Sequence, residues 1–399
     1  MTTASLETLL KEGDLDTARR VAEALLKESP GERRALLTLA KLATFDGDFT
    51  KAAALAARAT LDGGDDVDSL LVKASIAAQT RTEVDEAKAL YEQAIAMAKP
   101  PRAEAYFGLG MVLASAGRFS AARAPLEKAV QLEPKVGQFH FHLARVLLAD
   151  EKLKEGLPHL EKAVELNPLY PPVYEACCFV LQEFGEVKAA EKLLREGLKL
   201  MPNQPFLLGL LSNVLVALGQ VPEAMKISQA LAAEFPGEPE AIGNYARLMM
   251  VTGHRAAALE LVQKLSAQGK GTAQTHALEG QLLEALDPPD LDGAITSYAA
   301  AAKNDPRDWG SLNNLGLVLM KRAGDEAENL GAATEALEEA AMRAPHRLEP
   351  LMNLALVYAR LERTDEARDV AGEVVSRAST AQAELKQQAQ KLISALGKS

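Results

Sequence analysis

Three consecutive stretches decide the fold: AEAYFGLGMVLASAGRFSAARAPLEKAVQLEP (Ala103–Pro134), GQFHFHLARVLLADEKLKEGLPHLEKAVELNP (Gly137–Pro168) and PPVYEACCFVLQEFGEVKAAEKLLREGLKLMP (Pro171–Pro202). Laid under one another, they keep register without a gap. Their closing prolines, together with Pro236, recur every 34 residues. Each unit holds two apolar stripes of helical period, such as Leu109, Val112 and Leu113, then Ala122, Leu126 and Ala129, split by Gly117 where the chain must turn. That pattern predicts a helical hairpin. Small residues at positions 8 and 20 of the unit (Gly110 with Ala122, Ala144 with Gly156) let the two helices approach closely, and a small residue at position 27 admits the next unit. Proline at position 32 brings no N–H to a helix and ends the second one. One hairpin cannot bury its apolar faces alone, so neighbours stack and the core runs along the array.

Working outward, Gly47, Ala52 and Ala59 mark a unit beginning at Arg33, and Gly13, Ala18 and Pro30 mark an opening unit from residue 1. Further units begin near Val67, Pro205, Pro239, Ala273, Trp309 and Leu348, which gives eleven over residues 1–378, read as a single continuous array. Two departures stand out. Asp287-Pro288-Pro289-Asp290 lengthens the turn of the ninth unit, and the tenth carries an acidic excess between Gly324 and Gly331, with Asp325 to Glu328 as a solvated or contact loop. Residues 379–399 read as a capping helix and tail, with Ala381, Leu385, Ala389, Leu392 and Leu396 along one stripe.

The set Tyr106, Leu109, Gly110, Leu113, Gly117, Ala122, Leu126 and Ala129, at positions 4, 7, 8, 11, 15, 20, 24 and 27, resembles the tetratricopeptide repeat, TPR. The resemblance implies an all-α fold, a right-handed α-solenoid superhelix of tandem hairpins with a C-terminal capping helix. Composition agrees with the class. In 399 residues, 48 % are hydrophobic and 25 % charged, as in an ordinary folded protein, while aromatics are only 5 %. A net charge of −11 argues against a general nucleic-acid binder and against an anionic membrane surface. No apolar signal region opens the sequence and no long apolar run occurs, so a cytoplasmic protein without membrane insertion is expected.

Catalytic patterns fail one by one. Gly108-x-Gly110 sits inside a helix, and Gly269-Lys270-Gly271-Thr272 lacks the upstream glycine and strand of a phosphate loop. His140 and His142, two apart on a helix, point to different faces, and His159, His254, His276 and His346 are scattered, so no metal site is read and no cofactor is expected. Cys177 and Cys178 fill positions 7 and 8 as small apolar side chains, not as a disulfide. With the chain taken up by repeats, no catalytic domain is expected.

The resemblance further implies that positions 2, 5, 6, 9, 12 and 13 of each first helix line a concave groove. In the fourth to sixth units these include Phe107, Met111, Phe141, His142, Arg145 and Phe179, an aromatic and arginine set of the kind that anchors protein interfaces, the alternative being that Phe141 and Phe179 only contact adjacent repeats. Later units place Asn213, Asn244, Arg247, Asn313, Asn314 and Asn353 there. Asparagine offers both a donor and an acceptor, either to a peptide backbone or to contacts between helices. The series is similar to the asparagine ladder of O-linked N-acetylglucosamine transferase, broken here by Leu278. A carboxylate clamp like that of chaperone-tail receptors is incomplete: Asn213 and Asn244 match, but Gly209, Gln274 and Leu278 replace its cations. The expectation is a non-enzymatic scaffold or adaptor that takes a partner peptide or helix. The rivals are a regulatory subunit binding a small ligand or nucleic acid, and a self-assembling structural protein.

Overall fold

The computed structural model describes residues 4–61, 63–79, 84–324, 330–379 and 382–397. Among them are 23 helices and no strand. Their contacts divide the chain into two units, Met1–Pro202 and Asn203–Ser399.

The first unit contains α1 (Ala4–Glu12), α2 (Leu15–Glu28), α3 (Arg33–Phe45), α4 (Phe49–Thr60), α5 (Val67–Gln79), α6 (Val84–Met97), α7 (Ala103–Ser115), α8 (Phe119–Leu132), α9 (Gly137–Ala149), α10 (Leu153–Leu166), α11 (Pro171–Glu183) and α12 (Val187–Leu200). The second contains α13 (Pro205–Ala217), α14 (Val221–Glu234), α15 (Pro239–Val251), α16 (Arg255–Ala267), α17 (Ala273–Glu284), α18 (Leu291–Asn304), α19 (Trp309–Ala323), α20 (Gly331–Arg343), α21 (Glu349–Arg360), α22 (Thr364–Arg377) and α23 (Ala383–Leu396).

Local chemistry sets these boundaries. Helices α8, α10 and α12 each stop two residues short of a proline, because the residue before proline is forced out of the helical region. Inside most described hairpins, though not between α17 and α18, the turn holds a left-handed residue: Gly117 has φ +73°, with its N–H bonded to Ala114 O at 3.0 Å and the next N–H, of Arg118, bonded to Leu113 O at 2.9 Å. This double bond pattern satisfies the last carbonyls of α7. Glu151 takes the same conformation at φ 59°, without glycine's freedom. Several second helices start on a carboxylate cap, as where Asp14 accepts from Thr17 N at 3.1 Å and Asp48 from Lys51 N at 3.0 Å.

Within each hairpin the close approach is real. A Cβ added at Gly110 would lie 2.5 Å from Leu126 Cγ, and one at Gly316 would lie 2.5 Å from Leu337 Cγ. Packing runs across several hairpins: one cluster extends from Leu70 of α5 through Leu109 and Leu126 to Leu147 of α9, and another from Ala246 of α15 through Tyr298 to Val318 of α19. The added residues after Glu284 fall between α17 and α18, and the excess of the tenth unit falls between α19 and α20. Asp325 to Glu328 lie outside the described residues, as does Ala381. Helix α23 buries Ala389 and lays Leu385, Leu392 and Ile393 against the core of α21 and α22, leaving Glu384, Gln387 and Lys391 exposed. No described helix is long and apolar enough to cross a membrane.

Candidate binding surface on the first helices

In the first unit the site builds from rings. Phe107 of α7 packs on Phe139 of α9 with centroids 4.7 Å apart, and its edge meets His142 at 5.4 Å. His142 lies 5.2 Å from Phe141, which in turn stands at 84° to Tyr170, 5.4 Å away in the turn before α11. The row therefore joins α7, α9 and the following turn. Phe141 is 5 % exposed in this setting, an inter-hairpin joint more than an open anchor. Phe107, Met111 and His142 are half-buried. Burial first, and the nearby Arg145 cation second, push the His142 imidazole down to about 4, so it is neutral at physiological pH.

Two side chains on this row remain open. The Arg145 guanidinium carbon lies 5.8 Å from the Phe141 centroid; the residue is exposed and makes no ion pair among the described residues. Phe179, at the same repeat position on α11, is 50 % exposed. Sequence reading passed over Phe139 and Tyr170 because neither occupies a groove position; only the stacking of hairpins brings them to Phe107 and Phe141. It also left out Phe45, at position 13 of the second repeat, which is 78 % exposed. Phe45 rims a cleft of about 420 Å³ with Lys41, Leu71, Ser75 and Glu104, where Lys41 Nζ sits 3.8 Å from Glu104.

The second unit builds its equivalent positions from amides. Asn353 of α21 donates from Nδ2 to Asn313 Oδ1 of α19 at 2.8 Å, and Asn313 is buried. Asn314 is half-buried. On α15, Arg247 donates to Asn244 Oδ1 at 3.2 Å, so that amide oxygen already has a partner. Asn213 of α13 and Arg247 are exposed. Lys321 stands 3.9 Å from Glu284, whose other oxygen accepts the Tyr298 hydroxyl at 2.8 Å. The Asn353–Asn313 and Lys321–Glu284 contacts join neighbouring first helices, whereas Arg247 and Asn244 pair within α15.

Cys177 and Cys178 are free and buried, and burial pushes both thiols up to about 12, so neither is a ready nucleophile at neutral pH.

Models of the tetratricopeptide repeat match residues 9–76 and 215–282, then 72–135, 116–171 and 280–345, and finally 348–373. The chain belongs to the tetratricopeptide-repeat family. Its TPR hairpins resemble those of yeast Tom70, at 16 % identity and TM-score 0.58 over 98 % of this chain and 87 % of that one. A monomeric IFIT1 variant solved with m7Gppp-AAAA is 18 % identical, with TM-score 0.50 over 97 % of this chain and 89 % of that one. A TPR protein from Parabacteroides merdae is 15 % identical, with TM-score 0.49 over 72 % and 98 %. Comparison with curated protein sequences returns no match. At such identities the likeness to Tom70 is one of fold. TPR folds serve protein–protein interaction in general, and proteins built of them are typically non-enzymatic.

Proposed function

We propose that this TPR protein is a scaffold or adaptor that holds a segment of a partner protein, extended or helical, against the first helices of its hairpins, and that the aromatic row of the first unit supplies the anchor. The observation that carries this reading is the pair Arg145 and Phe179: one uncompensated cation and one half-exposed ring at the same repeat position of neighbouring hairpins, beside the half-buried Phe107 and His142. A large ring buries much area with little rotamer entropy lost, and a guanidinium offers five donors in one plane, which favours both as interface centres. Asn213 and Arg247, exposed on the second unit, are the corresponding polar contacts there, Arg247 held by Asn244, with Asn314, Asn353 and the Asn353-bonded Asn313 as further amides of the same surface.

The test is paired affinity capture from native lysate with the wild type and with Arg145→Ala/Phe179→Ala. Both residues are exposed, so the double variant should keep the wild-type circular dichroism and melting midpoint. A set of proteins retained by the wild type and lost from the variant supports the reading. The same set on both proteins would remove the site from this row.

A further inference from the structure

The hairpin α9–α10 holds a second feature unrelated to the groove. His140 of α9 and His159 of α10 face each other with Nδ1 to Nδ1 at 3.0 Å. The other ring nitrogen of His140, Nε2, lies 3.1 Å from the carbonyl oxygen of Pro134 and can only donate to it. That bond settles the tautomer: in the neutral ring Nε2 carries the hydrogen, and Nδ1 presents a bare lone pair toward His159. One hydrogen, on His159 Nδ1, then occupies the space between the two rings. In the next repeat Tyr174 sits where His140 does and bonds the Pro168 carbonyl in the same way, at 2.8 Å. The carbonyl contact alone therefore does not require an imidazole. What sets α9–α10 apart is the second imidazole placed against the first.

We propose that His140 and His159 form a two-imidazole site for one divalent transition-metal ion of the zinc or nickel class, which clips α9 to α10 in place of the shared hydrogen. Imidazole nitrogen is a preferred ligand of these ions, and a ligating ring ordinarily donates its other N–H to a carbonyl or carboxylate, as His140 does to Pro134. Zinc–nitrogen bonds of about 2.0–2.1 Å at a tetrahedral angle hold two nitrogens roughly 3.3–3.4 Å apart. The present 3.0 Å must open by a few tenths of an ångström, within the swing of the half-buried His159 ring. Proton balance is simple: His159 moves its hydrogen from Nδ1 to Nε2, on the side away from His140, and both Nδ1 lone pairs turn to the ion. No set of three ligating side chains exists among the described residues, so water fills the remaining positions and the ion exchanges readily. The surrounding charge tolerates a cation. Arg123 is held by Glu127 and Glu155 at 2.7 Å each, which leaves this neighbouring triad with an excess of one carboxylate.

The experiment is thermal denaturation of the full chain at neutral pH with zinc sulfate, nickel sulfate or magnesium sulfate, beside His159→Gln and His140→Gln. Zinc and nickel should raise the wild-type midpoint by about 2–4 °C at saturating ion, magnesium should leave it unchanged, and both variants should lose the rise. His159→Gln, being half-buried, is the variant expected to fold normally. Calorimetric titration of it with nickel should show one site fewer than in the wild type. An unmoved midpoint with zinc and nickel, a rise of the same size with magnesium, or an undiminished rise in His159→Gln would overturn the site and leave the pair as a shared hydrogen bond only.

Discussion

The row Phe139, Phe107, His142, Phe141 and Tyr170 in the first unit and the pair Asn313 and Asn353 in the second do the same mechanical task with opposite chemistry. Each joins the first helix of one TPR hairpin to the next, one through rings whose centroids lie 4.7–5.4 Å apart and the other through a single side-chain hydrogen bond of 2.8 Å. The backbone scaffold is indifferent to the choice, because close approach within a hairpin depends on positions 8, 20 and 24 and not on these. What differs is what is left over for a partner. Phe179 and the Arg145 guanidinium stay open beside the stacked rings, whereas the amide joint ties up one N–H of Asn353 and one lone pair of the buried Asn313.

The comparison is broken most severely by Phe141→Ala. Removing a ring 5 % exposed costs about 3–5 kcal/mol, and hydrogen exchange should show lost protection in α7 through α11 with residues 203–399 unaffected. A spread of the loss into the second unit would mean that the two stacks do not behave as local arrays. Next come Gly110→Ala and Gly316→Ala, one in each unit. Glycine to alanine within a helix ordinarily stabilises, but here each new methyl meets a leucine at 2.5 Å, and a loss of roughly 1–3 kcal/mol is expected at both sites in urea melts. Unequal losses would show that the aromatic and amide joints do reach back into the hairpin interior.

Asn313→Ala should cost about 0.5–1.5 kcal/mol, the size of one buried hydrogen bond, and Asn313→Ala/Asn353→Ala should cost little more than the single change, read by a double-mutant cycle. Phe179→Ala is the smallest perturbation of stability, within about 0.5 kcal/mol, because the ring is half in water. Capture of partners should nevertheless fall with it, and a stability loss comparable to that of Phe141→Ala would show that Phe179 is a second joint and not an anchor.

Phe141 and Phe179 also mark how far the residues could be read unaided. Both are phenylalanines at groove positions, Phe141 at position 5 and Phe179 at position 9, and neither position by itself says which ring a neighbour covers; Tyr170 packs on the first, and the second is left half-exposed. Asn313 and Asn314 are adjacent groove amides, yet the first is buried and bonded from Asn353 and the second is only half-buried. His140 and His159 look scattered because 19 residues separate them, although positions 4 and 23 of this hairpin face each other across α9 and α10.

By itself, then, the order of residues determined the helical hairpins and their family, because helix periodicity, glycine at the left-handed turn, proline after the second helix and small residues at the crossing are local requirements that recur within 34 positions. The tertiary structure alone decided which groove side chains are spent on neighbouring repeats and which stay exposed. Burial at those positions is set by what the adjacent hairpin places against them, at distances in the chain that no local pattern records.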